Sequence, residues 1–182
     1  GGYPSDTSWI TTAAASFDKS AVSEYSGWSL RLGGPKNNAV RYADMILEES
    51  PLYNNTKNTK VRVEFEFATD KDAGMYVILE GEKDGEHVRT TAGDSGRFIF
   101  TSNNCFNFET AIKGYTKDYW YNMVIDLDCE TQKYDVYLDG NIVAHNEDFP
   151  MAMDKVYGVS FASKGSSDFS THVYIDNLRY YT

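Results

Sequence analysis

Acidic side chains two residues apart are the first groups in this sequence that could do chemistry. Glu64 and Glu66 share one face of a strand pattern, and Asp126 and Asp128 share one face of another. A glycosidase needs two carboxyl groups facing one substrate, about 5 to 10 Å apart. The solvent face of an antiparallel sheet carries such charges in any case. The spacing therefore favours an ordinary polar face, with catalysis as the alternative.

The remaining acids, bases and nucleophiles form no recognisable set. His87, His145 and His172 lie in different strand patterns, and no Ser-His-Asp or Cys-His arrangement is legible. Cys105 and Cys129 are the only cysteines, and neither sits in a C-x-x-C pair, which argues against zinc and thioredoxin-type chemistry. A disulfide between them stays open. These patterns assign no catalytic residue.

One carboxylate lies on an aromatic and apolar face in the last strand pattern of the chain. Strict alternation places Asp176 on the same side as three large side chains, Tyr174, Leu178 and Tyr180. Such a carboxylate must be paired, hydrogen-bonded or bound to a cation, because an unpartnered buried charge is very costly. Three partners for Asp176 are possible from the sequence: backbone N–H groups at a bulge, an ion pair with Arg31, or a bound cation.

Composition bounds the class of protein. The 182 residues fit one domain, which we expect to span residues 1–182. Aromatics make up 15% of the chain, which favours a packed β protein. A formal charge of −10 argues against nucleic acid, since phosphate binding needs clustered Lys and Arg. No apolar run reaches the roughly 18 residues of a membrane span, so we expect no membrane partner.

The pattern of elements predicts an all-β protein. The clearest strand, "KVRVEFEFA", alternates Val61, Val63, Phe65 and Phe67 with charged residues, and the turn signals Asp84-Gly85 and Asp139-Gly140 predict hairpins. About a dozen short strands predict an antiparallel β-sandwich or jelly roll. Residues 1–24 are predicted to be an irregular segment packing on it. The part "WITTAAASFDKSAVSEY" is open between a helix and a loop followed by an edge strand.

Four motifs carry a family resemblance, extending over about residues 25–181: "SGWSLRL", "VRVEFEFATDKDAGMYVILEG", "YWYNMVIDLDCETQKYDVYLDGNIV" and "VYIDNLRYY". They resemble the concanavalin A-like (laminin G-like) sandwich. The first and last also resemble the jelly-roll carbohydrate-binding modules of bacterial polysaccharide-degrading enzymes. That resemblance implies a structural calcium at Asp176, with Asp18 and Glu24 as partners, and calcium takes six to eight oxygen ligands.

The same resemblance lowers the expectation of an enzyme. Glycosidases of this fold carry a denser acidic strand motif, and "VEFEFATD" lacks its central Asp. Lyases of this fold place a His or Tyr base in "Q-x-H" or "Y-x-K-x-G" contexts, which are absent around the three histidines. Because one fold hosts many functions, a lyase or glycosidase and a structural or adhesin domain without a sugar site remain the alternatives.

Candidate ligand residues follow from the chemistry of sugars, which stack on aromatic rings and bind polar groups at their rims. Tyr76 and Glu80 share a face that alternates out of the core pattern, and Tyr137 shares one with Asp135. Arginines near Tyr76 in the hairpin order would favour an acidic sugar. Core packing is the alternative for each residue of the set, which comprises Trp28, Tyr76, Glu80, Arg89, Arg97, Tyr115 and Tyr137.

The resulting hypothesis is a non-catalytic carbohydrate-binding module that attaches a larger protein to a polysaccharide. The chain starts at Gly1-Gly2 without a signal peptide. We therefore expect a module excised from a secreted or cell-surface bacterial protein, with its export signal elsewhere and a tethered catalytic domain in the parent chain.

Overall fold

Fifteen β-strands lie in the part of the chain that the computed structural model describes, namely residues 9–11, 15–19, 28–32, 41–46, 59–69, 74–89, 98–100, 105–107, 110–111, 118–149, 151–164 and 173–181. In chain order they are β1 (Trp9–Thr11), β2 (Ala15–Lys19), β3 (Trp28–Leu32), β4 (Arg41–Ile46), β5 (Lys60–Thr69), β6 (Gly74–Lys83), β7 (Glu86–Arg89), β8 (Phe98–Phe100), β9 (Cys105–Asn107), β10 (Thr110–Ala111), β11 (Tyr121–Asp128), β12 (Lys133–Leu138), β13 (Asn141–Asp148), β14 (Lys155–Lys164) and β15 (Val173–Tyr181). No helix occurs in these residues, and thus none that could cross a membrane.

The strands form two antiparallel sheets. The first sheet has the order β1-β4-β14-β6-β8-β9-β10, with β7 also paired to β6, and the second has the order β13-β12-β11-β5-β15-β3-β2. The predicted antiparallel β-sandwich is confirmed. Residues 1–24 are not irregular throughout, because they contribute β1 and β2, the outermost strands of the two sheets. Of the two alternatives for "WITTAAASFDKSAVSEY", the edge strand is the one observed, because β2 pairs with β3 at the edge of the second sheet. β1 is a further short strand, defined by its pairing with β4.

The core lies between the sheets and follows the predicted alternation. Val61, Val63, Phe65 and Phe67 of β5 are almost fully buried, and the alternate residues of β11 join them. The Phe65 ring packs edge-on against Phe161 of β14, with ring centroids 4.9 Å apart. Because every second side chain of β5 and β11 is buried, the residues between them form the opposite face of the second sheet. We call this the outer face.

Two hairpins have the turns that the sequence predicted. Asp84 and Gly85 have φ of 53° and 84°, and Asp139 and Gly140 have φ of 49° and 74°. Positive φ at both central residues is typical of the type I′ turn, which suits Asp-Gly because glycine adopts this region without steric cost. The second hairpin joins β12 to β13 and so brings these two strands to the edge of the second sheet.

A β-bulge interrupts β15 and overturns one prediction. Asp176 pairs with Glu66 and Arg179 with Glu64, so β15 holds one more residue than β5 between these pairs. Asn177, at φ 50°, lies at this point. An extra residue reverses the side on which all later side chains lie. The prediction that Asp176 shares a face with Leu178 and Tyr180 is therefore wrong, because these two pack on the core.

Candidate functional site

An open groove of about 720 Å³ lies on the outer face of the second sheet. Its lining residues come from β5, β11, β12, β13, the last residue of β15 and Thr131 in the turn between β11 and β12. The central strands carry it because their polar side chains alternate away from the core, as described for β5 and β11. We call this cavity the outer-face groove.

One row of paired residues crosses the groove at right angles to the strands. The register places Tyr181 opposite Arg62, Arg62 opposite Asp126, and Asp126 opposite Asp135. On β13 the ladder is irregular opposite Asp135, where His145 and Asn146 contact it. Five neighbouring strands span about 19 Å at the usual strand spacing. The row is thus long enough to contact an extended ligand at several points.

An arginine–carboxylate pair occupies the middle of this row. Arg62 Nε donates to Asp126 Oδ1 and Arg62 Nη2 donates to Asp126 Oδ2, both at 2.6 Å. Hydrogen bonding to Asp126, followed by its charge, raises the pKa of Arg62 above its ordinary value. A two-bond pair of this type fixes the planes of both groups. Both side chains nevertheless remain partly exposed, at 52% and 31%.

Asp135 is held in place by the neighbouring edge strand. Its Oδ1 accepts a hydrogen bond from the Asn146 backbone N–H at 2.7 Å and lies 3.0 Å from His145 Nδ1. The His145 side chain is 73% exposed, whereas that of Asp135 is 27% exposed. The contact therefore presents an imidazole at the end of the row beside a carboxylate whose direction is set by the backbone.

A second row of alternating charges runs beside the first. Lys60 Nζ lies 3.4 Å from Asp128 Oδ2, and Lys133 Nζ lies 2.7 Å from Asp148 Oδ1. Asp128 Oδ1 also accepts hydrogen bonds from two backbone N–H groups of the following turn. Burial raises the pKa of Asp128, but these hydrogen bonds and Lys60 outweigh it, so the pKa is lowered overall. Asp128 is thus committed to the turn that closes one end of the groove.

Aromatic and apolar side chains border the charged rows. Tyr181 lines the groove and is 45% exposed. Tyr137 lies in the next row, paired with Val124 on one side and with Ile142, which is 49% exposed, on the other. The predicted outward position of Tyr137 is confirmed, because its neighbours along β12 alternate into the core. The groove therefore has rings at its edge and ionised groups along its length.

The predicted ligand residues do not converge on the groove. Tyr137 lies beside it, and Trp28 begins β3 of the same sheet, whereas Tyr76, Glu80 and Arg89 belong to the first sheet. Glu80 is buried, with 1% exposure, and its Oε2 lies 2.9 Å from His87 Nε2. The other side chains fall outside the described ones: Trp28, Tyr76, Arg89, Arg97 and Tyr115. Ligand contact at these positions stays a prediction.

At Asp176 the structure contains a backbone hydrogen bond at a bulge, which is one of the three alternatives that the sequence left open. Its Oδ1 accepts a hydrogen bond from the Asn177 backbone N–H at 2.7 Å, at the bulge. The side chain of Asp18 and the whole of Glu24 lie outside what the structure describes. Among the side chains it does describe, no three His, Cys, Asp or Glu residues are grouped to hold a metal ion. Calcium at Asp176 therefore stays a prediction.

Backbone register nevertheless aligns two of the predicted calcium ligands. Asp18 pairs with Ser29, and Ile175 pairs with Leu30, so the backbones of Asp18 and Asp176 lie at the same level on either side of β3. Two strand spacings separate them, about 10 Å. Their alignment comes from the pairing of β2 as an edge strand, which the sequence did not specify.

Two further residues could be placed only in part from sequence. Alternation in "KVRVEFEFA" puts Arg62 on the outer face, so its position was visible although its partner was not. Tyr181 was hidden, because the bulge in β15 reverses the alternation just before it. Asn177 was a weak sequence signal for the bulge, because Asn tolerates the left-handed conformation that it adopts there.

Cys129 is a buried free thiol, so it forms no disulfide with Cys105.

Comparison with known proteins identifies the fold. No protein-family model and no curated protein matches the chain. Among solved structures, a sialidase matches 96% of this chain with TM-score 0.55 and 12% identity, over 17% of its own length. Botulinum neurotoxin type C, whose passage into cells depends on interaction with two ganglioside molecules, matches 95% with TM-score 0.57 and 12% identity, over 42% of its length. Trypanosoma rangeli sialidase in complex with 2,3-difluorosialic acid matches 88% with TM-score 0.56 and 12% identity, over 26%.

These likenesses establish a shared β-sandwich fold. At 12% identity they carry no residue correspondence. The chain spans less than half the length of each of these proteins.

Proposed function

We propose that this chain is a non-catalytic carbohydrate-binding module of the concanavalin A-like type, and that it holds an oligosaccharide or polysaccharide in the outer-face groove. The observation that carries the proposal is the row across five strands, which combines the exposed ring of Tyr181 with oriented charged groups. Sugar-binding proteins occur among the similar structures, including the ganglioside-dependent toxin.

The chemistry of the groove suits a sugar. An aromatic ring packs on the apolar C–H face of a pyranose, and the hydroxyl rim needs donors and acceptors of fixed direction. Tyr181 in the groove and Tyr137 in the neighbouring row supply rings. Arg62 supplies N–H donors, and Asp126 and Asp135 supply acceptors. A volume of about 720 Å³ falls within the range of small-molecule sites. We expect weak affinity for a single module, roughly micromolar to millimolar.

Binding without catalysis is favoured by what holds the carboxylates. Asp126 accepts hydrogen bonds from Nε and Nη2 of Arg62, and Asp128 accepts two hydrogen bonds from backbone N–H groups. A glycosidase or lyase is the second candidate, and the observation that favours it is the direct pairing of Asp126 with Asp135. Reducing-sugar release, or absorbance of unsaturated uronates, after incubation with a polysaccharide panel would demonstrate the enzyme.

In its parent protein the module would act by raising the local concentration of the polysaccharide substrate. We propose a secreted or surface protein in which this chain keeps a tethered catalytic domain close to its polysaccharide, which raises the effective concentration of substrate. The similar structures are likewise longer chains of which this fold is one part.

Calcium at Asp176 is proposed as a structural element of the same module, with Asp18 and Glu24 as further ligands. Aligned backbones at Asp18 and Asp176 support it. A bound ion stabilises the folded state in proportion to its occupancy, so a chelator should lower the melting temperature and added calcium should restore it. An unchanged melting temperature would exclude the ion.

A glycan array followed by titration calorimetry tests the main proposal. The wild-type protein should bind at least one glycan, and the double variant Arg62→Gln with Tyr181→Ala should lose that binding while keeping its melting temperature. Asp84→Asn, on the turn of the first sheet, is the control and should bind normally. Binding that survives in the groove variant would place the site elsewhere, and no binding to any glycan would favour a structural or adhesin domain.

A further inference from the structure

We propose that the outer-face groove selects neutral oligosaccharides and rejects anionic ones, an inference that rests on the proposed function. The arrangement behind it is the ion pairing of the groove. In the described part of the chain, each lysine or arginine that lines the groove already contacts a carboxylate: Lys60 with Asp128, Arg62 with Asp126, and Lys133 with Asp148.

The charges of the groove sum to a negative value. Three lysine or arginine side chains line it, against four carboxylates, with histidine counted as neutral. The carboxylates are Glu64, Asp126, Asp128 and Asp135. The whole chain carries a formal charge of −10, so the long-range field also repels anions.

An anionic sugar would meet a cation that is already neutralised. A uronate or sialate that takes the Nε–Nη2 edge of Arg62 must displace Asp126 from two hydrogen bonds of 2.6 Å, and one that takes the remaining N–H groups lies beside Asp126. In both cases the Asp126 carboxylate stays in the groove next to the ligand's own negative charge. The pair is partly exposed, at 52% and 31%, so the penalty is smaller than for a buried pair, but two carboxylates placed side by side still repel each other.

A neutral sugar avoids this cost. Hydroxyl groups can donate to the free lone pairs of Asp126 and Asp135, since an ionised carboxylate has about four acceptor sites. Hydrogen bonds to a charged acceptor are shorter and stronger than neutral ones. Arg62 orients Asp126 and the Asn146 backbone N–H orients Asp135, and the three ion pairs stay intact. Because the ligand carries no charge, its affinity should depend little on ionic strength.

The experiment is a comparison of probes in titration calorimetry. The neutral probes are cellohexaose, xylohexaose and mannohexaose, and the anionic probes are hexagalacturonate and sialyllactose. We expect a neutral probe to bind, its affinity to change less than about twofold between ~50 and ~500 mM salt, and the anionic probes to bind at least tenfold more weakly.

Variants that neutralise a carboxylate test the role of the ion pairs more directly. Asp126→Asn releases Arg62, and Asp148→Asn releases Lys133 from a carboxylate that is 84% exposed, so the second variant carries little risk to folding. Each should raise affinity for hexagalacturonate by about fivefold to tenfold. Asp84→Asn makes the same charge change on the other sheet, at a φ that asparagine tolerates, and should leave the affinity unchanged.

The outcomes separate this inference from the proposed function. A wild-type preference for an anionic probe, a steep dependence of the affinity on salt, or no gain in either released variant would overturn the selectivity alone. Failure of all the neutral and anionic probes to bind the wild-type protein, together with no binding on the glycan array, would overturn the proposed function, and the selectivity with it.

Discussion

Replacing Tyr181 with alanine should weaken glycan binding and leave the stability of the protein unchanged. Replacing its neighbour Tyr180 with alanine should lower the stability and leave glycan binding unchanged. The bulge at Asn177 sets this difference, because it directs Tyr180 onto the core and Tyr181 into the groove. The two variants remove the same side chain from adjacent positions of one strand. Each is therefore the matched control of the other.

The cost of losing Tyr180 can be worked from its contacts. Its ring packs on the core, its hydroxyl donates to the Val156 carbonyl oxygen at 2.7 Å, and burial raises its pKa well above the ordinary value. Truncating a fully buried aromatic residue costs about 3 to 5 kcal/mol. Tyr180 is only partly buried, so we expect about 2 to 4 kcal/mol, or roughly 5 to 15 °C in melting temperature for a chain of this size.

The cost of losing Tyr181 falls on binding. Its side chain is 45% exposed, and surface substitutions change stability by less than about 0.5 kcal/mol. Removing a ring that stacks on the ligand should cost about 1 to 2 kcal/mol of binding free energy, roughly fivefold to thirtyfold in Kd.

Thermal unfolding and titration calorimetry on both variants measure the two effects. If Tyr181→Ala lowered the melting temperature while Tyr180→Ala did not, the reversal at the bulge would be refuted. If Tyr181→Ala left both stability and glycan affinity unchanged, the ring would have no part in binding and the groove would lose its principal stacking surface.

Further predictions concern stability, acid and thiol chemistry. Gly81→Ala should destabilise by about 1 to 3 kcal/mol, because its Cβ would overlap the Lys155 carbonyl oxygen. Gly140→Asn meets open space, so only the strain of its positive φ remains, which asparagine tolerates better than most residues, and it should cost less in the same urea titration. The lowered pKa of Asp128 contributes stability that is present above the ordinary Asp value of 3.8 and is lost as pH falls towards the folded-state pKa. Asp128→Asn should therefore flatten the acid limb of the stability curve, and an unchanged limb would exclude this carboxylate as its source. Burial raises the pKa of the Cys129 thiol to about 12, so it should resist alkylation at neutral pH until the protein unfolds, as peptide mapping would reveal.

Much of the architecture is visible in local patterns. Alternation in β5, β11 and β12 identifies which residues face the core, since a strand directs successive side chains to opposite sides. Asp-Gly at both hairpins identifies the turns, because few residue pairs tolerate two successive positive φ angles. These signals act within a few residues of one another, and the sandwich follows from them.

The residues of the candidate site are harder to predict from strand alternation. Tyr76 and Glu80 alternate out of the core pattern, yet Ile78 between them and Glu80 itself are buried on the first sheet. Alternation identifies two faces but not which of them another part of the chain covers. Tyr137 was placed correctly because the outer face of β12 is open.

By itself the sequence determined the fold class, the core face of the long strands and the acidic character of the surface, because these depend on residue type and short periods. Tertiary structure decided which rows of side chains meet. Arg62, Asp126 and Asp135 lie on three strands, and only sheet order and register bring them together. A one-residue bulge in β15 decided that Tyr181 rather than Tyr180 reaches the groove, since a single added residue reverses every later position along a strand.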